Sequence, residues 1–91
     1  MDTPWGESTS TRQITEGITF YQTPEHGGYH ISPTLLSQMP IGLRNTNYEG
    51  WFEEDREWAK VVYFFPQYFT AEERLRTLRI IKDNWPDIEI I

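Results

Sequence analysis

Ile18-Thr19-Phe20-Tyr21-Gln22-Thr23-Pro24-Glu25-His26-Gly27-Gly28-Tyr29-His30-Ile31-Ser32-Pro33 changes character three times in sixteen residues, and those changes decide the fold. From Ile18 to Thr23 the residues other than Gln22 are β-branched or aromatic. They alternate, with Ile18, Phe20 and Gln22 on one side and Thr19, Tyr21 and Thr23 on the other, the two-residue period of a strand. Pro24 to Gly28 are turn formers, and Gly27 and Gly28 can take positive φ without a Cβ clash. Tyr29, His30 and Ile31 resume extended character, so a β-hairpin is expected. Ser32-Pro33 then starts a helix, because Ser offers its oxygen to unpaired amides and Pro occupies a position where no intrahelical donor is lost. That short helix should run to about Gln38 and be closed by Pro40 and Gly42, with residues 41–47 as a loop.

Outward from this segment, Trp51, Trp58, Val61, Val62 and Phe65 form an apolar stripe of helical period. The spacing predicts a helix from Trp51 to Phe65 with Glu53, Glu54 and Asp55 near its first turn, where carboxylates suit the helix dipole, and with Pro66 ending it. Thr70-Ala71-Glu72-Glu73 has capping-box spacing and opens a last helix whose expected apolar face is Leu75, Leu78, Ile81 and Trp85. Arg74, Arg76, Arg79 and Lys82 form its polar coat, and Asn84 and Pro86 stop it. Ile88 to Ile91 reads as an edge strand or a partner contact. Upstream, the first sixteen residues begin as a loop with Trp5 as the only large anchor; Arg12 to Glu16 suits either a short helix ended by Gly17 or a strand paired with the residues after Gly17. The expected class is α+β, with a small hairpin or antiparallel sheet packed against two main helices plus a short helix, in one domain over residues 1–91.

At 91 residues, folding hides roughly 60 to 65% of the surface exposed by the unfolded chain. The core is therefore thin, and the aromatic residues, 15% of the chain, must supply much of its apolar area. So many rings in so small a domain leave some for the surface, where a homo-oligomer or a partner-binding face would use them. Cysteine is absent, which excludes disulfides, thiolate metal sites and a cysteine nucleophile. No apolar run approaches the ~20 residues needed to span a bilayer. Met1-Asp2-Thr3-Pro4 lacks the basic and apolar regions of a signal peptide, so residence in the cytoplasm is expected. The net charge of −6 argues against binding along a DNA backbone. DNA mimicry is disfavoured as well, because the acidic residues are interleaved with Arg and Lys and cluster only at Glu53-Glu54-Asp55.

Three readings of the candidate chemistry compete. Adjacent Gly27 and Gly28 between His26 and His30 could present consecutive amides to an anion, or could merely satisfy the backbone angles of a tight turn. A metal reading takes His26 and His30 with the carboxylates near position 54, but if Tyr29 and His30 lie in a strand the whole turn separates the histidines, and the helical geometry that joins i,i+4 ligands does not apply. A hydrolase reading takes either histidine as general base oriented by Glu53 or Asp55; no nucleophile is marked, since Ser32 is suited to capping a helix. The run Trp51-Phe52-Glu53-Glu54-Asp55-Arg56-Glu57-Trp58 is either a helix start with inward-packed indoles or a rim of carboxylates beside indole rings. Such a rim suits a base, ribose hydroxyls or the basic groups of a partner. The arginines of the last helix are either a solvated face or a phosphate contact.

Taken together, Pro4-Trp5-Gly6, Gly17-Ile18, Thr23-Pro24-Glu25-His26-Gly27-Gly28-Tyr29-His30-Ile31-Ser32, Met39-Pro40, Gly50-Trp51-Phe52-Glu53-Glu54-Asp55, Trp58-Ala59 and Phe65-Pro66 resemble a small domain family of unknown function carried by phages, plasmids and integrative elements. The chain departs from that pattern at Arg56 and in the Tyr-rich segment from Tyr63 to Tyr68. The resemblance implies a mobile-element setting and supplies no biochemical activity. Small acidic proteins of such elements often inhibit bacterial defence, which implies a binding protein directed at a host defence protein. The alternatives are a sponge for a nucleotide messenger and a small metal-dependent or His/carboxylate hydrolase. The expected partner-binding face comprises His26, Gly27, Gly28, Tyr29 and His30 with Trp51, Glu53, Glu54, Asp55 and Trp58; no catalytic residue, metal ligand or cofactor is assigned.

Overall fold

The computed structural model describes residues 2–87, and its centre is a four-stranded antiparallel sheet. The strands are β3 (Ser10–Thr15), β4 (Ile18–Gln22), β5 (Gly27–Ile31) and β6 (Trp51–Glu53), in that spatial order. A separate two-stranded hairpin, β1 (Asp2–Thr3) and β2 (Gly6–Glu7), precedes them. The helices are α1 (Pro33–Leu36), α2 (Ile41–Arg44), α3 (Trp58–Phe64) and α4 (Ala71–Asn84), with a single tighter helical turn over Pro66–Tyr68. The expected class, α+β with an antiparallel sheet against helices, is the one observed. The segment Ile88 to Ile91, expected as an edge strand or contact, lies outside the described residues.

Two turns explain how the sheet starts. Gly17 has φ +91° and closes β3 onto β4, which decides the segment after Arg12 in favour of a strand that ends at Thr15, with Glu16 in the turn. Any Cβ at Gly17 would also meet Leu35 Cδ1 at 2.7 Å, so both conformation and space require glycine there. The β4–β5 turn is Thr23-Pro24-Glu25-His26, earlier in sequence than expected. Thr23 N donates to the His26 carbonyl at 2.8 Å, and His26 N donates to Thr23 Oγ1 at 3.0 Å. The buried threonine is thereby satisfied and the turn closed without any glycine. Gly27 and Gly28 accordingly belong to β5, paired with Gln22 and Tyr21, and neither has positive φ. The expected placement of both glycines in the turn is corrected, whether to present amides to an anion or to satisfy tight-turn angles: they are built into a ladder.

The larger correction concerns Trp51 to Asp55. Trp51, Phe52 and Glu53 form strand β6, with Gly28 opposite Glu53, Tyr29 opposite Phe52 and His30 opposite Trp51. The helix starts only at Trp58, and its first turn holds no acidic residue, so Glu53, Glu54 and Asp55 do not serve a helix dipole. Phe52 gives the physical reason. A helix stripe through Trp51 and Trp58 leaves this ring off the buried face, whereas a strand sends it into the core and turns its two neighbours outward. Phe52 is fully buried; Trp51 and Glu53 are partly exposed. Gly50, at φ +83°, makes the entry to β6, and its carbonyl accepts from Ile31 N at 2.9 Å.

Because paired residues share a sheet face, Ile18, Phe20, Tyr29, Ile31 and Phe52 lie on the side toward the helices. There they meet Leu36, Met39, Leu43, Val61, Val62, Phe65 and Phe69 in one core. Ser32 caps α1 through its side chain as expected, and residues 41–44 close into the short α2 where a loop was expected. The capping box of α4 is complete, with Glu73 N donating to Thr70 Oγ1 and Thr70 N donating to Glu73 Oε1. The buried face of α4 differs from the expected one. Thr77 and Ile81 are inside, whereas Leu75 is 82% and Leu78 45% exposed. Thr77 can be buried because its hydroxyl donates to the Arg74 carbonyl at 2.8 Å, leaving no orphaned donor.

One charge lies inside this core. Lys60 is 2% exposed, and its Nζ is 2.9 Å from Glu57 Oε2, 3.0 Å from the Asn45 carbonyl and 4.1 Å from the centre of the Trp85 ring. Although that carboxylate oxygen lies off the ideal hydrogen-bond direction, the short separation and the burial make the electrostatic pairing effective. The ammonium ties the chain after α2 to α3 and to the end of α4. Removing one member of a buried pair typically costs about 3–5 kcal/mol, because the other charge remains desolvated. Lys60→Ala should lower the unfolding free energy measured in urea by about that amount. The Lys60→Met, Glu57→Gln double variant should recover most of it; a loss below ~1 kcal/mol in Lys60→Ala would contradict this assignment.

Candidate functional site

The outward face of the sheet carries Thr19, Tyr21, Gly28, His30, Trp51 and Glu53, set there by the same register that sends Phe52 inward. Trp51 is its hub. Its ring lies 4.6 Å from His30, 5.3 Å from Tyr21 and 5.7 Å from Trp5, the last at 90°. Perpendicular indoles at this spacing place the positive edge of one against the negative face of the other.

Trp5 reaches this position from the β1–β2 hairpin. Thr3 Oγ1 donates to the Gly6 carbonyl at 2.7 Å and accepts from Trp5 N at 3.1 Å, and Gly6 has φ +116°. Its landing place is bare backbone. A Cβ at Gly28 would be driven into the Trp5 indole and would lie 2.5 Å from the Phe52 carbonyl oxygen. Gly28 is thus glycine for close approach, with no special φ involved.

The two sequence runs expected to share a face are joined by the pairing of β5 with β6. His26 Nδ1 stands 4.0 Å from Glu53 Oε1, close enough for charge interaction and beyond a hydrogen bond. The ten expected residues nonetheless divide. Gly28, His30, Trp51 and Glu53 share the outward face, with His26 at its edge. Tyr29 points into the core, where burial, followed by the Glu73 charge, raises its phenol above the ordinary range. Trp58 and Glu54 line a different depression with Arg12, Phe20, Tyr29, Asp55, Glu73 and Arg76, where Arg76 lies over the Trp58 ring at 5.4 Å. Gly27 is buried at the start of β5. His26 and His30 occupy opposite ends of that neighbourhood, one beside Glu53 and the other against Trp51. Among the described residues no group of three or more His, Asp or Glu side chains is placed to hold a metal ion.

A concavity of about 430 Å³, including space open to solvent, lies beside the Trp5–Trp51 pair. Its walls are Trp5, Trp51 and Tyr48, with Glu53, Asp55, Glu57, Arg56, Thr46 and Asn47 around them. Tyr48, Thr46, Asn47 and Glu57 are additions to the expected face. The loop before β6 is carried in by Trp51 N donating to the Tyr48 carbonyl at 2.9 Å and Thr46 Oγ1 donating to the same oxygen at 2.7 Å. Three carboxylates thus share the lining with one guanidinium, and Arg56 Nη1 donates to Asn84 Oδ1 at 3.1 Å.

Two measurements test this geometry. Gly28→Ala should cost about 1–3 kcal/mol by overpacking, and a cycle with Trp5→Ala should show a coupling of at least ~0.5 kcal/mol; additive effects would contradict contact between the two. Burial lowers the His30 pKa from its ordinary 6.5, so the unfolded chain takes up protons first as pH falls. The stabilisation from neutral His30 is therefore complete above that value and is lost as pH drops through the lower folded-state value. Urea midpoints should fall below about pH 6.5, and His30→Gln should flatten that fall; an unchanged slope in the variant would contradict the burial argument.

No curated protein and no solved structure matches the chain. The model of a domain of unknown function, DUF7007, matches residues 1–89. That match covers the Trp5 hairpin, the four-stranded sheet and the concavity alike, and the chain belongs to this family.

Proposed function

We propose that the protein is a non-enzymatic binding protein of a mobile element, a counter-defence inhibitor that acts by binding a host defence protein through the outward face of its sheet. The observation that carries the reading is the aromatic surface centred on Trp51, where the rings of Trp5, Tyr21 and His30 gather on the outward face of the sheet, next to a concavity that Trp5, Tyr48 and Trp51 line. Clustered tryptophan and tyrosine at a partly exposed site provide large contact area with little conformational entropy to lose, the composition of interface hot spots. The mobile-element setting rests on the family resemblance of the sequence.

A protein partner is favoured over a nucleotide messenger by charge. Glu53, Asp55 and Glu57 line the concavity, and carboxylates repel the phosphates of a nucleotide. A hydrolase is less well supported because Ser32, two residues after His30, accepts from Leu35 N as the α1 cap. No helix among the described residues is long and apolar enough to cross a membrane, so the proposed contact needs no bilayer.

The test is phage plaquing on bacterial strains that each carry one defence system and express this protein. Rescue of plaquing in at least one strain, with the defence protein co-purifying, is expected. Trp51→Ala, checked for folding by circular dichroism, should lose both effects. Absence of rescue throughout, or full rescue by Trp51→Ala, would refute the proposal.

A further inference from the structure

The concavity beside Trp5 and Trp51 has a definite chemical preference, and resting on the binding reading above, we infer that it receives an arginine side chain of the partner protein. Its walls include two indoles at right angles and the Tyr48 ring, aromatic groups of the kind that attract a planar cation. Its charged groups are Arg56 and three carboxylates on successive stretches: Glu53 at the end of β6, Asp55 in the turn, and Glu57 before α3.

These carboxylates are not equally committed. Glu57 Oε2 lies 2.9 Å from the buried Lys60 ammonium, so its charge is compensated from below. The one cation on the lining, Arg56, is drawn toward α4 by its hydrogen bond to Asn84. Glu53 faces His26 at 4.0 Å, outside hydrogen-bonding reach, and Asp55 is exposed. Glu53 and Asp55 are therefore the acceptors left to meet an incoming cation beside the aromatic walls.

Guanidinium fits this combination better than ammonium. It is planar and weakly hydrated, stacks on indole, and donates two parallel hydrogen bonds to a carboxylate, whereas a lysine head is a compact, strongly hydrated point charge. Arg56 has its guanidinium engaged with Asn84 on α4, so the arginine assigned to the concavity is the partner's.

Chemical shifts of the four indole N–H groups in the full chain, titrated with the amides of Gly-Arg-Gly, Gly-Lys-Gly and Gly-Glu-Gly and with a cyclic dinucleotide, test the inference. The arginine peptide should give saturable shifts at Trp5 and Trp51 but not at Trp58 or Trp85. Binding should weaken about tenfold, the equivalent of one charge-assisted hydrogen bond, in the Glu53→Gln, Asp55→Asn variant. Glu72→Gln, on the exposed start of α4, should leave it unchanged. Equal response to the lysine peptide would overturn the guanidinium assignment, and a response to the acidic peptide or dinucleotide at the same indoles would overturn the charge argument. Absence of any saturable shift would overturn the inference outright. A chain that rescues plaquing through Trp51 yet ignores the arginine peptide refutes the inference and leaves the binding function standing. Arginine binding without rescue of plaquing does the reverse.

Discussion

The Trp5 indole lies against backbone that has no side chain, and much of the molecule's surface depends on that contact. A strand through the middle of a sheet normally projects a Cβ at every position, which would hold a large ring away from the ladder. At Gly28 the ladder is bare, and the indole settles against it and the neighbouring β6 backbone. That single approach fixes the N-terminal hairpin, which has only two residues in each strand and little means of holding itself in place. It also sets the Trp5 ring perpendicular to Trp51, making an aromatic corner from residues 46 positions apart.

The remainder of the fold supports that corner from beneath. Phe52 anchors β6 in the core while its neighbours Trp51 and Glu53 point away from it, so packing on one face sets the register of the other. Lys60 adds a second constraint by binding the Asn45 carbonyl. The residues after Asn45 carry Thr46, Asn47 and Tyr48 to the concavity. A buried ammonium is an expensive way to secure a loop, yet here it also compensates Glu57, one of the carboxylates on the lining. Core electrostatics and surface chemistry are linked through that residue.

Local chemistry makes some elements readable in the sequence. Ser32-Pro33 and Thr70 to Glu73 carry their own caps, and β4 alternates in the period of a strand. Other elements depend on partners distant in the chain. β3 is polar and becomes a strand because Gly17 returns it against β4. β6 reads as helix because Trp51 and Trp58 share helical spacing, although Phe52 between two outward residues is a usable sign of a strand. On α4, Leu75 and Leu78 satisfy the period without being buried, since the helix turns Thr77 and Ile81 inward. At the site, the pairing of the histidine segment with the Trp51 run is legible, but nothing local to Trp5 or Tyr48 marks them as belonging there. The glycine pair carries a true signal of close approach whose occupant is the chain's own indole.

The aromatic corner requires that Trp5 lie over Gly28 in solution. A nuclear Overhauser spectrum of the folded protein tests this directly, through the cross-peaks between the Trp5 indole ring protons and the Gly28 α-protons. Strong cross-peaks, with ring-current displacement of those α-proton resonances that is lost in Trp5→Ala, are predicted by an indole lying against bare backbone. Their absence, with Gly28 α-protons at ordinary strand positions, would mean that the hairpin does not dock and that the aromatic corner is not formed.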